Sequence, residues 1–230
     1  MSNTLQAHRQ SLFEALEWVT AELEKREIPH AVAGGMAMLF LGSQERVVSD
    51  IDLSVDADIA EVIIREFEGS ANIANHDSLE AVDDIINMQV FTADQNHEEG
   101  VTERVVQVDL IFSGHFGIPE ELRPCTTRDF NMPAHTVIMR TTCYILNLEV
   151  MFRTKLRAFY DPSRTGGNDF DDLMWMLEHH TEAVRGFAHR LERGDSDDMR
   201  VALSEENQRA YFDQPDKWSE LYDKVLGLLD

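Results

Sequence analysis

The stretch GGMAMLFLGSQERVVSDIDLSVD, Gly34 to Asp56, decides how the rest of the chain is read. Its second half, SDIDLSVD from Ser49 to Asp56, sets aspartates among apolar, β-favouring residues. Side chains on a strand alternate between faces, so Asp50 and Asp52 are predicted to project side by side. A third acid, Asp109, interrupts another strand-like run, VVQVDLIF from Val105 to Phe112, and a neighbouring strand could bring it beside them. Carboxylates crowded in this way repel one another unless cations neutralise them. Hard oxygen ligands of this kind suit Mg²⁺ or Mn²⁺, ions that keep substrate phosphates as their remaining ligands. Asp109 is the deciding member, because a charge buried unpaired in an apolar strand is costly and demands a metal, a cation or solvent.

Upstream, apolar residues at Leu12, Phe13, Leu16, Val19 and Leu23 have helical spacing and predict a helix over 11–27, ended by Pro29. HAVAG, from His30, reads as a strand running into Gly34-Gly35, and MAMLFLG as a helix ending near Gly42. A strand from Asp50 to Val55 and an amphipathic helix from about Ile59 to Phe67 follow, then a loop from Ser70 to Leu79. Ile86–Thr92 and Glu103–Phe112 are predicted strands, separated by a polar turn containing His97, Glu98, Glu99 and Gly100; His135–Met139 is a further short candidate. From Asn147 onward helical patterns dominate, and there is no internal repeat or low-complexity linker. The expected fold class is α/β (α+β): a small mixed β-sheet domain over 1–140 and a C-terminal helical domain over 141–230.

The chain has 230 residues and 43% apolar content, enough for a sizeable core. It holds no apolar run near the roughly 20 residues that span a bilayer. The N-terminus, MSNTLQAHRQ, lacks the charged-then-apolar layout of a signal peptide, which predicts a cytoplasmic protein with no membrane partner. Cys125 and Cys143 lack metal-site spacing and read as reduced packing residues. With 43 acids against 20 bases the net charge is −23. That field repels nucleic-acid backbones and anionic membranes, so a small or basic acceptor is expected ahead of long DNA or RNA. A local basic pocket remains compatible with it.

The order of these features resembles the nucleotidyltransferase superfamily related to DNA polymerase β. The shared pattern is a strand, a Gly-Gly or Gly-Ser turn at a helix start, an Asp-x-Asp strand and a third Asp on a later strand. Here these are Val32–Gly35, Asp50-Ile51-Asp52 and Asp109. The Gly-Gly-x-Ala and Arg-x-x-x-Asp-Ile-Asp arrangement is similar to the type IV toxin (abortive-infection) and lincosamide-type nucleotidyltransferases. KLRAFYDPSRTGGNDFDDL, Lys155 to Leu173, resembles the toxin-like subgroup's helical Lys followed by Asp-x-x-Asp-Leu, with Lys155, Asp169 and Asp172 at the matching positions. Two departures are Val48 where a Thr is frequent, and a slightly long spacer between Gly35 and Asp50.

The resemblance implies a metal-dependent enzyme that moves a nucleoside monophosphate from a triphosphate such as ATP to an acceptor. Gly34 and Gly35 would hold the β- and γ-phosphates, since a glycine pair at a helix start lets backbone N–H groups approach phosphate oxygens. Asp50, Asp52 and Asp109 would hold Mg²⁺ or Mn²⁺, with Asp109 also accepting the proton of the attacking hydroxyl. Arg46 and Lys155 are candidate phosphate ligands; Asp169 and Asp172 would orient Lys155 or the acceptor. The plainer readings are a simple turn for the glycines, a surface position for Arg46, a snorkelling side chain for Lys155, and dipole-favoured acids for Asp169, Asp171 and Asp172. His179-His180 is read as structural, because adjacent helical residues do not share a face, and Trp18, Met174, Trp175 and Met176 as core. A small-molecule acceptor is favoured over a protein side chain or an RNA end. The competing expectation is a catalytically silent nucleotide-binding or interaction protein on the same fold.

Overall fold

The computed structural model describes residues 3–43, 46–56, 60–75, 79–92, 104–127, 143–160 and 168–191. The chain divides into two compact units, Met1–Leu146 and Asn147–Asp230. The proposed strand at His135–Met139 and the polar turn at His97–Gly100 lie outside the described residues.

In the first unit, helix α1 (Asn3–Lys25) starts earlier than its apolar spacing announced. Its end is also not the work of Pro29. Glu27 adopts a left-handed conformation (φ 57°), and the N–H groups of Glu27 and Ile28 donate to the carbonyls of Glu24 and Leu23 at 3.0 Å each. That paired closure satisfies the last carbonyls before the proline is reached. The apolar stripe Leu12, Phe13, Leu16, Val19, Leu23 is buried and packs over strands β4 (Ile85–Thr92) and β5 (Arg104–Phe112). Phe13 meets Phe40 of α2 (Gly34–Leu41) edge-on at 5.9 Å, and Trp18 meets Phe67 of α3 (Ala60–Phe67) at 5.8 Å. Helix α2 closes at Gly42 (φ 114°), whose N–H and that of Ser43 bond back to Leu39 and Met38.

Strands β1 (His30–Val32), β2 (Ile51–Val55), β3 (Ala81–Val82), β6 (Thr126–Thr127) and β7 (Ile145–Leu146) join β4 and β5 in one mixed sheet of order β3-β4-β5-β2-β1-β7-β6. β2 runs parallel to β5 and antiparallel to β1, which in turn is parallel to β7. The alternation is strict where it matters. Val106, Val108 and Leu110 of β5 and Ile86, Met88 and Val90 of β4 are buried, while Asn87, Gln89 and Gln107 between them are exposed. The buried rows therefore take the α1 side, and Asn87, Gln107 and Asp109 project from the opposite face. The two-residue strands β3, β6 and β7 were not anticipated from the sequence.

The second unit contains α4 (Leu148–Tyr160), α5 (Asn168–His179) and α6 (Thr181–Ala188). Phe152 packs on Phe187 at 5.8 Å and Phe159 on Phe170 at 5.4 Å, joining all three helices through aromatic contacts. Met174 and Met176 are buried as expected, and Trp175 is half-buried. Trp175 stacks on His179 at 4.6 Å and meets His180 at 5.2 Å, while His179 Nδ1 donates to the Trp175 carbonyl at 3.0 Å. The histidine pair is thus tied to the local helix. Cys143 is buried and Cys125 half-buried, and neither forms a disulfide among the described residues; burial pushes the Cys143 thiol up to about 11. No helix among the described residues is long and apolar enough to cross a membrane.

Candidate active site

The in-register parallel pairing of β2 with β5 places Asp52 directly beside Asp109. Register partners on adjacent strands project from the same face, so the two carboxylates share the side of the sheet away from α1. The antiparallel partner of Asp109 on β4 is Asn87, which extends this polar row to a third strand. Gln107, two residues before Asp109 and on the same face, donates its amide N–H groups to both Asp109 oxygens at 3.0 and 3.3 Å. Neither Gln107 nor Asn87 was singled out from the sequence. Period-two alternation in VVQVDLIF already put Gln107 beside Asp109, whereas Asn87 required the strand register.

The glycine turn adjoins the same row. The N–H of Ala33 donates to the Asp52 carbonyl at 2.9 Å, bringing the end of β1 against the start of β2. Gly34 has φ +54°, and a Cβ built there would stand 1.7 Å from Asp52 Oδ2. Position 34 therefore excludes any side chain twice, by backbone conformation and by the carboxylate that occupies its place. Helix α2 begins here with no side-chain cap at Ala33. Gly35 faces a different neighbour, since its Cβ would come within 3.3 Å of Val48. The segment 46–48 is held from α1: His8 Nε2 donates to the Val48 carbonyl at 2.9 Å and Arg9 donates to the Arg46 carbonyl at 3.4 Å. Arg46 turns one guanidinium nitrogen back to the Val47 carbonyl at 3.1 Å.

Asp50 differs from the expectation that placed it on the strand. β2 begins at Ile51, and Asp50 sits at the preceding bend, where the Ser49 hydroxyl donates to its Oδ1 at 3.2 Å. Among the described residues no group of three or more His, Cys, Asp or Glu side chains is gathered closely enough to hold a metal ion. The ladder aligns two of the three expected acids; strand alternation does not govern the third, which lies one residue outside it.

In the second unit Lys155 is buried, not snorkelling. Its Nζ donates to Asp169 Oδ1 at 2.8 Å and stands 2.8 Å from Asp172 Oδ2. Burial alone would depress its ammonium, but the charges of Asp172 and then Asp169 outweigh that and hold it above the ordinary 10.5. Asp169 and Asp172 are themselves buried on α5, three residues apart and so on one helix face, while Asp171 is exposed.

A model of the family described as "Nucleotidyl transferase AbiEii toxin, Type IV TA system" matches residues 22–230. The chain belongs to this AbiEii nucleotidyltransferase family. Its matched span contains the glycine turn, the Asp50–Asp52 segment, Asp109 and the Lys155–Asp169–Asp172 cluster. Two solved structures share the fold. JHP933 from Helicobacter pylori is 13% identical with a TM-score of 0.61, covering 100% of this chain and 93% of its own. A candidate nucleotidyltransferase from H. pylori is 18% identical with a TM-score of 0.58, covering 100% and 96%. Comparison with curated protein sequences found no match. The AbiEii chain is accordingly a nucleotidyltransferase on a mixed α/β nucleotidyltransferase fold.

Proposed function

We propose that the chain transfers a nucleoside monophosphate from a nucleoside triphosphate to an acceptor hydroxyl in a divalent-metal-dependent reaction. The observation that carries this reading is the register pairing of Asp52 with Asp109 beside Gly34. Two partly exposed carboxylates, next to a helix start without a capping side chain, are a donor set that fits a hard divalent ion with phosphate oxygens completing its shell. Asp52 and Asp109 would hold that ion, Mg²⁺ or Mn²⁺, with Asp50 joining them from the adjoining bend. When bound, the metal supplies charge neutralisation at the phosphates and lowers the pKa of the attacking hydroxyl.

The protein groups carry the remaining work. Backbone N–H groups at Gly34 and Gly35 bind the β- and γ-phosphates, favoured by the positive end of α2. Asp109 accepts the hydroxyl proton as the acceptor oxygen bonds to the α-phosphorus and the bond to the leaving pyrophosphate breaks. Gln107 orients Asp109. Arg46 binds phosphate from the segment fixed by His8 and Arg9. Lys155 is held by Asp169 and Asp172 within the second unit, where the three join α4 to α5. The acceptor is a small molecule, in keeping with a chain of net charge −23.

The test is incubation with Mg²⁺ and each α-labelled triphosphate, alone and with small hydroxyl-bearing acceptors, a protein mixture or RNA, following pyrophosphate and the label. Metal-dependent pyrophosphate release with label on a small acceptor supports the reading. Label on a protein or an RNA end corrects the acceptor alone. Nucleotide binding without turnover in every arm would favour a silent nucleotide-binding protein.

A further inference from the structure

The glycine turn and the carboxylate pair stand in a fixed order across the sheet. The strands run β4-β5-β2-β1, and Gly34, just after β1, lies against the Asp52 side chain of β2. Asp109 on β5 is therefore on the side of Asp52 away from the glycines, and Asn87 on β4 is one strand further. In phosphoryl transfer the attacking and leaving oxygens lie roughly in line, on opposite sides of the phosphorus. With the β- and γ-phosphates at the glycines, pyrophosphate departs toward β1, and the incoming hydroxyl arrives from over β5 and β4.

What waits there is almost uncharged. Of the eight residues that β4 and β5 turn to this face, at odd positions over 85–91 and 105–111, Asp109 alone carries a charge, in a chain with 43 acids and 20 bases. Three exposed carboxamides surround it instead, Asn87 in register with Asp109 and Gln89 in register with Gln107. They are spaced about 5 Å across the strands and about 7 Å along them. The Gln107 amide nitrogen is committed to the Asp109 oxygens, but the Asn87 and Gln89 side chains make no hydrogen bond among the described residues. Their backbone, by contrast, is pinned from the outer edge of β4. Asn75 Nδ2 donates to the Asn87 carbonyl at 3.0 Å, and the Gln89 N–H donates to Asn75 Oδ1 at 2.9 Å. Two uncommitted amides are thus held on a fixed strand beside Asp109. On its other side Ile85 and Ile111, register partners and half-buried, form an apolar strip.

We propose that this face of β4 and β5 is the acceptor subsite, and that the acceptor is an uncharged polyhydroxylated small molecule of the sugar or polyol class; this rests on the reading of transfer through Asp52 and Asp109. A carboxamide both donates and accepts, as a hydroxyl does, whereas a cation would call for further carboxylates and an anion for Lys or Arg. One acceptor hydroxyl bonds to the α-phosphorus and yields its proton to Asp109 as the bond to pyrophosphate breaks. Neighbouring hydroxyls exchange hydrogen bonds with Asn87 and Gln89, and the C–H groups lie on Ile85 and Ile111.

The experiment gives the full chain Mg²⁺, α-labelled triphosphates and four alcohols in one mixture, with labelled products resolved by charge. Maltose and myo-inositol are uncharged, choline is a cation and glucuronate an anion. We expect label on maltose or myo-inositol at least about tenfold above that on the charged pair. Combining Asn87→Leu with Gln89→Met, both exposed, should raise KM for that acceptor at least about tenfold and leave KM for the triphosphate within about twofold. A rise in the triphosphate KM alone overturns the proposal, because the amides would then serve the nucleotide. Pyrophosphate release with neither neutral alcohol labelled overturns it too, and leaves transfer through Asp52 and Asp109 standing. Absence of pyrophosphate from every mixture defeats that transfer reading, and the proposal with it.

Discussion

Gly34 is the position where a single atom decides the site. The Cβ added by Gly34→Ala would fall on Asp52 Oδ2, and φ +54° is strained for any side chain. Backbone strain alone costs about 1–3 kcal/mol, and displacing Asp52 disturbs its alignment with Asp109. The variant should lose both thermal stability and nucleotidyl transfer, read by a melting curve and pyrophosphate release. Unchanged values for both would contradict the close approach. Lys155 makes a second test, in the other unit. Lys155→Met leaves Asp169 and Asp172 buried without their cation and should destabilise by about 3–5 kcal/mol.

The sign with pH is definite. In the native chain the Lys155 value is raised above 10.5, so its stabilising contribution is present below that pH and fades as pH rises through the folded-state value. Denaturant midpoints taken as pH rises past 10.5 check that sign. The Asp-x-Asp pattern was readable because strand alternation is local. That Lys155 is buried was not readable, because its solvation depends on α5 packing against α4, and amphipathic spacing alone placed it at the surface.

At the scale of elements, the site follows from the pairing of β2 with β5. A one-residue slip would turn Asp109 toward α1 and send Val106, Val108 and Leu110 to the opposite face, so the hydrophobic pattern fixes the register that aligns the acids. Gln107 adds local order by donating to both Asp109 oxygens. Gln107→Leu should therefore lower turnover several-fold while changing stability by no more than about 0.5 kcal/mol, since residue 107 is exposed on its strand. Melting curves paired with turnover measurements separate the two effects; a large stability loss would make Gln107 structural. The long elements α1, β4 and β5 were legible from their sequence patterns, and their ends less so. α1 stops at a left-handed Glu27 that no propensity announces, and β6 and β7 are two residues each, too short for any period to register. The row Asp52–Asp109–Asn87 needed the ladder itself, because residues on three strands become neighbours only through pairing.

For the molecule as a whole, the net charge of −23 acts on whatever approaches the site. Raising ionic strength from about 0.01 M to about 0.15 M shortens the screening length from roughly 30 Å to roughly 8 Å. Steady-state rates at low acceptor concentration should fall over that range for a cationic acceptor and rise for an anionic one such as RNA. Insensitivity to salt would assign the acidic surface to solubility alone. The family match, residues 22–230, takes in residues of both units.

The central claim is that Asp52 and Asp109 act together as the carboxylate pair of nucleotidyl transfer, and its most direct test is pyrophosphate release by the full chain carrying Asp52→Asn or Asp109→Asn. Removing like charge from a partly exposed pair should leave the fold intact by near-ultraviolet circular dichroism and the melting temperature unchanged or raised. Metal-dependent turnover should drop by about 10²–10³ in each variant. Turnover within twofold of the native chain, in a variant shown to be folded, would contradict the account.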